Sequence, residues 1–330
     1  MITDVRTTSV DTLNFPAVTF CMKKSWTNGG FESFELTDEI LSYCSFDSQN
    51  KCKVDDFEKS LKWFSSENYR GKMNCYKFNS GNDAHGKQGK VIQTTRIGQF
   101  TGLRLIMNLK LNSSISYHIG DYQNWPSEVE LNRIVLPETS QTIYIRKVVD
   151  EKLPKPYNPC LSKESIDLFD SELVKKILQN NKNYRQVNCY DMCFQMHLDS
   201  IAYSRNISHL IAYRNLSDFN RTEKCDNLCP LECDSIYYES TIEGQKITDQ
   251  EYHKYLNNYL NDSDAYKKEN LLIIRIQYDE MKFTHMSQTA KMTTTDLVSN
   301  IGGVLGVFLE LSFFSIYKII YFFLDRCISI

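Results

Sequence analysis

The sequence predicts an α+β, disulfide-rich extracellular domain followed by one C-terminal transmembrane helix. Three observations carry this reading. Between Ile301 and Leu324 only Glu310 and Lys318 are charged. Eleven cysteines stand in the chain, ten of them before that apolar stretch. Five Asn-x-Ser/Thr sequons, at Asn112, Asn206, Asn215, Asn220 and Asn261, occupy the same long segment. Together the sequons and cysteines mark an exported domain in an oxidising compartment.

The first residues conflict with that compartment. Residues 1–14 contain neither an apolar signal core nor a membrane span. A chain whose hydrophobic segment is C-terminal would leave residues 1–295 in the cytosol, where disulfides and N-glycans do not form. The expectation is therefore an N-terminally incomplete chain whose first transmembrane helix precedes Met1. The extracellular domain then spans 15–295, the membrane helix 296–324 and a cytoplasmic tail 325–330.

Within the domain, runs rich in β-branched and aromatic residues predict strands at 91–95, 102–111, 142–149, 236–242 and 271–278. Helices are predicted at 165–179, 184–203 and 248–261. In the last, Thr248 and Glu251 have capping-box spacing ahead of Tyr252, Tyr255, Leu256 and Tyr259, which share one helical face. No internal repeat or low-complexity linker interrupts the chain. The formal net charge of −3 gives no footprint for nucleic acid.

The stretch 301–324, as a helix rising about 1.5 Å per residue, reaches roughly 36 Å, against about 30 Å of bilayer core. A buried core helix is the alternative, uncommon at this length. Gly302 and Gly306, with Ser299 and Gly303, form a small-residue face where helices can approach closely, so self-association is expected. Glu310 lies one turn beyond Gly306 on that face. A carboxylate at membrane depth costs about 3 kcal/mol unless it faces water or a partner. A pore meets that condition.

Several motifs now stand in order: Phe15-Pro-Ala-Val-Thr-Phe-Cys21; Cys44-Ser-Phe with Cys52 and Asp56-Phe57; Asn74-Cys75-Tyr76-Lys77-Phe78-Asn79-Ser80-Gly81; Gly102-Leu103-Arg104-Leu105. They continue through Leu153-Pro154-Lys155-Pro156-Tyr157-Asn158-Pro159-Cys160, Cys189-x3-Cys193, Cys225-x3-Cys229-Pro-x2-Cys233 and Ser299-Asn300-Ile301-Gly302-Gly303. This ordered set resembles the degenerin, epithelial sodium channel and acid-sensing ion channel family across almost the whole chain.

The resemblance implies a β palm and β-ball, a helical thumb at about 160–233 and a knuckle helix at about 248–261. The finger is much reduced, because only 22 residues separate Cys21 from Cys44, so proton gating through an acidic pocket does not carry over. Cysteine spacing leaves connectivity open, and four thiolates at Cys189, Cys193, Cys225 and Cys229 would also suit tetrahedral zinc. The resemblance implies disulfides instead, pairing Cys21 with Cys75, Cys44 with Cys52, Cys160 with Cys233, Cys189 with Cys229 and Cys193 with Cys225. Cys327 is left as a free thiol.

The same resemblance places the selectivity filter at Glu310, Leu311 and Ser312. Glu310 replaces a small residue and Leu311 is bulkier than usual, so three carboxylates in one ring would attract cations and hold divalent ions. Lys318, about 12 Å further on, stands where the family has a carboxylate; it lines the inner mouth or snorkels to the interface. Ser299, with Asn300, Gly302 and Gly303, occupies the pre-pore gating segment, and Gly306 the amiloride-contact position. Pro156 and Tyr157 mark the wrist.

The six histidines are dispersed and no phosphate loop or nucleophile motif appears, so no enzyme is expected. The reading is a subunit of a homo- or heterotrimeric, amiloride-sensitive-type sodium channel in the plasma membrane, ligand-gated in one version. Its partners are related subunits, sodium ions and membrane lipid, without cofactor or metal. The alternative is a non-conducting single-span receptor or adhesion protein.

Overall fold

The computed structural model describes all residues except 1, 26–30, 49, 67–68, 83–86, 99, 110–112, 128, 163–170, 181–182, 206–224, 261–265, 293, 310–312 and 329–330. All five sequon asparagines (Asn112, Asn206, Asn215, Asn220 and Asn261) lie outside the described residues, as do Glu310, Leu311 and Ser312. The strands are β1 (Ile2–Ser9), β2 (Leu13–Asn14), β3 (Ala17–Ser25), β4 (Phe31–Ser33), β5 (Leu41–Phe46), β6 (Asn50–Lys51), β7 (Phe57–Ser66) and β8 (Tyr69–Phe78). There follow β9 (Gln93–Thr94), β10 (Leu103–Asn108), β11 (Ser113–Gly120), β12 (Arg133–Val135), β13 (Thr139–Glu151), β14 (Asp234–Lys246) and β15 (Leu271–Thr289). The helices are α1 (Glu172–Asn180), α2 (Gln186–Arg205), α3 (Asp249–Tyr259), α4 (Thr294–Leu309) and α5 (Phe313–Ile328). Residues Val5–Met286 form one unit; Met1–Asp4 and Ser287–Ile330 form the other.

In the larger unit two antiparallel sheets share one core. The first runs β14-β13-β15-β10-β5-β6, with β1 paired to β15; the second runs β12-β11-β3-β8-β7, with β4 paired to β3. Side chains on a strand alternate between faces, and each β15 face meets a different partner. Leu272, Ile274, Ile276 and Tyr278 enter the shared core with Leu103, Leu105 and Met107 of β10. Leu271 and Ile273, with Ile106, face the opposite way and meet Tyr255, Leu256 and Leu260 of the α3 segment. The second sheet is also used twice: Val18, Phe20 and Met22 join the shared core. Cys21 packs instead with Met73, Cys75 and Leu131. Each such buried aliphatic or aromatic side chain contributes about 1.5–3 kcal/mol.

Helix α3 is capped as its sequence predicts. Thr248 Oγ1 accepts from Glu251 N, and Glu251 reaches back to Thr248 N. Tyr252 and Tyr259 pack beside the buried Tyr255 and Leu256. The sheet facing it carries two cations: Arg104 and Arg275 are register partners on β10 and β15. Arg104 Nη1 donates to Tyr259 Oη, and Arg275 Nη2 donates to Tyr255 Oη.

Several boundaries differ from the sequence reading. The strand predicted over 91–95 is only Gln93–Thr94. Polar side chains take up the backbone beside it, since Asn79 Oδ1 accepts from Ile92 N at 2.7 Å. The strands predicted at 142–149 and 236–242 extend to thirteen residues each, Thr139–Glu151 and Asp234–Lys246. β14 is an outer strand and tolerates polar residues on its open face. Likewise β15 continues past Tyr278 to Thr289. The β7–β8 hairpin, rich in Lys, Ser and Glu, carries too little apolar alternation to be read as strand. In the thumb, the described part of the helix predicted over 165–179 is Glu172–Asn180. Between Cys21 and Cys44 the described residues form the end of β3, β4 and the start of β5.

In the smaller unit, one continuous helix is expected over 296–324, and the described residues form two of sixteen residues each on either side of 310–312. At about 1.5 Å per residue each spans roughly 24 Å. Among the described residues no helix is long and apolar enough to cross a membrane. Both helices are nonetheless apolar and exposed, including Val298, Ile301 and Val304 on α4 and Ile316, Ile320 and Phe322 on α5. An exposed apolar surface of this kind marks a membrane or partner contact.

Candidate functional site

Ser299, Asn300, Gly302, Gly303 and Gly306 all fall on α4 and are exposed. A Cβ added at Gly302, Gly303 or Gly306 would meet nothing within 4 Å. Among the described residues these glycines therefore answer no packing demand, which leaves an open face for another helix. Asp296 stands in the first turn of α4, where an acidic side chain favours the helix N-terminus. Lys318 lies exposed on α5. Residues 310–312, expected to form the filter, are outside the described residues, so α4 and α5 are described only on either side of them.

Residues 155–157, expected to be the wrist, form a turn. Tyr157 N donates to Pro154 O at 3.1 Å, and Asn158 Nδ2 to Leu153 O at 2.7 Å. Tyr157 is 49% exposed, so its ring is no core aromatic. Pro156 is exposed beside it.

Five disulfides tie the larger unit together. The disulfides are Cys21–Cys75, Cys44–Cys52, Cys160–Cys233, Cys189–Cys229 and Cys193–Cys225. Cys189 and Cys193 lie one turn apart on α2, which lets two rungs form on one helix face. Those four cysteines with Leu173, Val174, Ile177 and Tyr184 make a small core of their own. Cys193, Cys225 and His197 hold their ligand atoms within 4.8 Å of one another. Sulfurs already bonded to each other offer no thiolate, which removes the zinc reading of this cluster. At its base Leu161 bridges to Glu232 and Lys152 N donates to Cys233 O at 2.8 Å.

The residues just before α2 meet the loop after β11 through a charge cluster absent from the sequence reading. Glu130 is gripped by Arg185, Nη1 at 3.1 Å from Oε2 and Nη2 on Oε1, and Ser127 N donates to Glu130 Oε2 at 2.9 Å. His118 Nε2 lies 3.9 Å from Glu130 Oε1. Burial pushes the Glu130 carboxyl up, but the Arg185 guanidinium outweighs it and the group ends below its ordinary value. Burial lowers His118, with Arg185 and Arg133 acting in the same sense against Glu130. The residues come from separate segments, 55 positions apart for Glu130 and Arg185, so no local spacing could have signalled them. Nearby, the buried Lys77 pins the same loop: Nζ donates to Tyr122 O at 2.7 Å and Asn124 O at 2.9 Å.

This assembly of strands, disulfides and helices can be set against known proteins. The chain is 24% identical to the human bile acid-sensitive ion channel over 325 residues, covering 93% of this chain and 60% of that protein. It is 23% identical to the epithelial sodium channel subunit gamma of Neoceratodus forsteri, covering 83% of this chain and 44% of the relative. Human acid-sensing ion channel 2 is 23% identical, with 86% of this chain and 56% of the relative covered. The chain thus spans about half the length of these relatives. A solved proton-activated chloride channel is similar only at 8% identity and a TM-score of 0.35, too distant to bear on the fold. The family described as amiloride-sensitive sodium channel matches residues 24–322. Its members are ion channels and not enzymes. On that match the chain belongs to the amiloride-sensitive sodium channel family.

Proposed function

We propose that this chain is a subunit of a trimeric, amiloride-sensitive-type cation channel that passes sodium passively across the plasma membrane. In this reading the larger unit is extracellular, the C-terminus is cytoplasmic, and the subunit joins copies of itself or related chains. The observation that carries it is the family match over residues 24–322, in a chain whose apolar segment 301–324 holds one carboxylate, Glu310. Glu310, Leu311 and Ser312 contribute the filter ring, and Ser299, Asn300, Gly302 and Gly303 the gate. Gly306 contributes the amiloride contact. Lys318 lies toward the inner mouth, and Pro156 with Tyr157 transmits thumb movement to the membrane segment.

Whole-cell current in cells expressing the protein, alone and with related subunits, tests this. The expected result is an amiloride-blockable cation current in which Glu310→Gly weakens divalent block on the order of tenfold or more, because three carboxylates leave one ring. Silence of parent and variant in every combination, despite surface expression, overturns conduction. The departures at Glu310 and Lys318 favour a second reading in that event, a non-conducting receptor with the same ectodomain.

A further inference from the structure

We infer that Cys193, Cys225 and His197 form a zinc site once the disulfide between the two cysteines is opened by a small thiol, so that this rung on α2 has two closed forms, a sulfur–sulfur bond and a metal clip. The three side chains hold their ligand atoms within 4.8 Å of one another. Cys193 and His197 stand four residues apart on α2, one turn along the same face. Cys225 reaches them from a separate segment, 32 positions beyond Cys193. Among the described residues no third ligand of this kind joins the neighbouring rung, Cys189–Cys229.

While the bond is closed its sulfurs offer no thiolate; opening it supplies two, and thiolate is the form that binds metal. Two small thiols provide two electrons and two protons, leave as one disulfide, and turn Cys193 and Cys225 into thiols. Zinc then displaces both protons to solvent with no further change of oxidation state. Zinc takes sulfur at about 2.3 Å and imidazole nitrogen at about 2.0–2.1 Å, and two cysteines with one histidine leave the fourth tetrahedral position to water. The Cα atoms of Cys193 and Cys225 lie 6.2 Å apart, the widest of the five bridged pairs. An ion can therefore sit between the parted sulfurs with little movement of the backbone. That backbone is also held without the rung. Leu228 N and Cys229 N donate to Cys225 O at 3.0 and 2.9 Å. Gln186 Nε2 donates to Cys229 O at 2.9 Å, and Tyr190 Oη to Asp226 Oδ1 at 2.5 Å. The turn at 225–229 thus stays against α2 when the bond opens, and the ligands remain gathered. Both sulfurs are buried and His197 is half-buried, so the imidazole forms the outer side of the site.

The assignment concerns metal binding, and it stands whether or not the chain conducts. Purified full-chain protein with its disulfides closed is reduced by a phosphine, freed of it without air, and titrated with zinc against a chromophoric chelator. Alkylation of each cysteine, with and without zinc, is read by peptide mass spectrometry. The expected result is zinc binding by the reduced protein, with Cys193 and Cys225 protected from alkylation and Cys189 and Cys229 left reactive. His197→Gln should weaken that binding by about tenfold or more. This variant keeps every cysteine, so its fold is set by the disulfides before reduction, which separates loss of a ligand from loss of the fold. Three results overturn the site: no protection of Cys193 and Cys225 by zinc, equal protection of Cys189 and Cys229, or parental zinc affinity in His197→Gln.

Discussion

At Gly102 the backbone excludes every side chain. Its φ is +75°, and a Cβ there would lie 2.1 Å from the Ile276 carbonyl oxygen. Its N–H donates to Asp47 Oδ1 at 2.7 Å, and its carbonyl accepts from Asp47 N at 3.0 Å. Gly102→Ala is therefore expected to cost about 2–4 kcal/mol, read as a lowered thermal midpoint and reduced surface expression. The motif Gly-Leu-Arg-Leu is visible in the sequence, but the approaching strand that makes glycine obligatory is not. His118 sets a second residue-scale expectation. Its folded value lies below its ordinary 6.5, so the unfolded chain binds the proton more readily. Stability is whole above that ordinary value and falls as pH drops below it, down to the depressed folded value. The thermal midpoint at pH 5.5 should lie below that at pH 7.5, and His118→Gln should flatten the difference. An unchanged pH dependence in that variant sinks the assignment. The cluster of His118, Glu130 and Arg185 was illegible in the sequence because three separate segments supply it.

Among the elements, α3 was the most legible, since both its cap and its apolar face are local patterns. Thr248→Ala removes the oxygen that accepts from Glu251 N and should cost about 1 kcal/mol. Amide exchange should quicken over Asp249–Tyr259 before it does in β10 or β15. Strand lengths were less legible. Beyond Tyr278 the residues of β15 turn polar and half-buried, and pairing rather than hydropathy keeps them extended. The β7–β8 hairpin hid for the same reason. In the thumb, Cys193→Ser with Cys225→Ser breaks one rung that spans 32 positions and should lower stability by about 2–4 kcal/mol. Thermal unfolding of the double variant measures it. A change below half of that range would mean that the remaining rung and the core of Leu173, Val174 and Ile177 suffice.

For the whole molecule, the order of motifs made the family legible, while the path of each charge contact waited on tertiary structure. Composition located the apolar terminal segment. The Cys160–Cys233 bond has a mechanical consequence. It joins chain positions 73 apart, so tension drawn along the backbone from β13 to β14 takes the short route through sulfur and bypasses the intervening segment. In a single-molecule pulling experiment under oxidising conditions, that segment should contribute no extension. After reduction the same trace should lengthen by roughly 250 Å of contour. The thumb would thus move as a passenger on a shunted chain, stretched only when the bond opens.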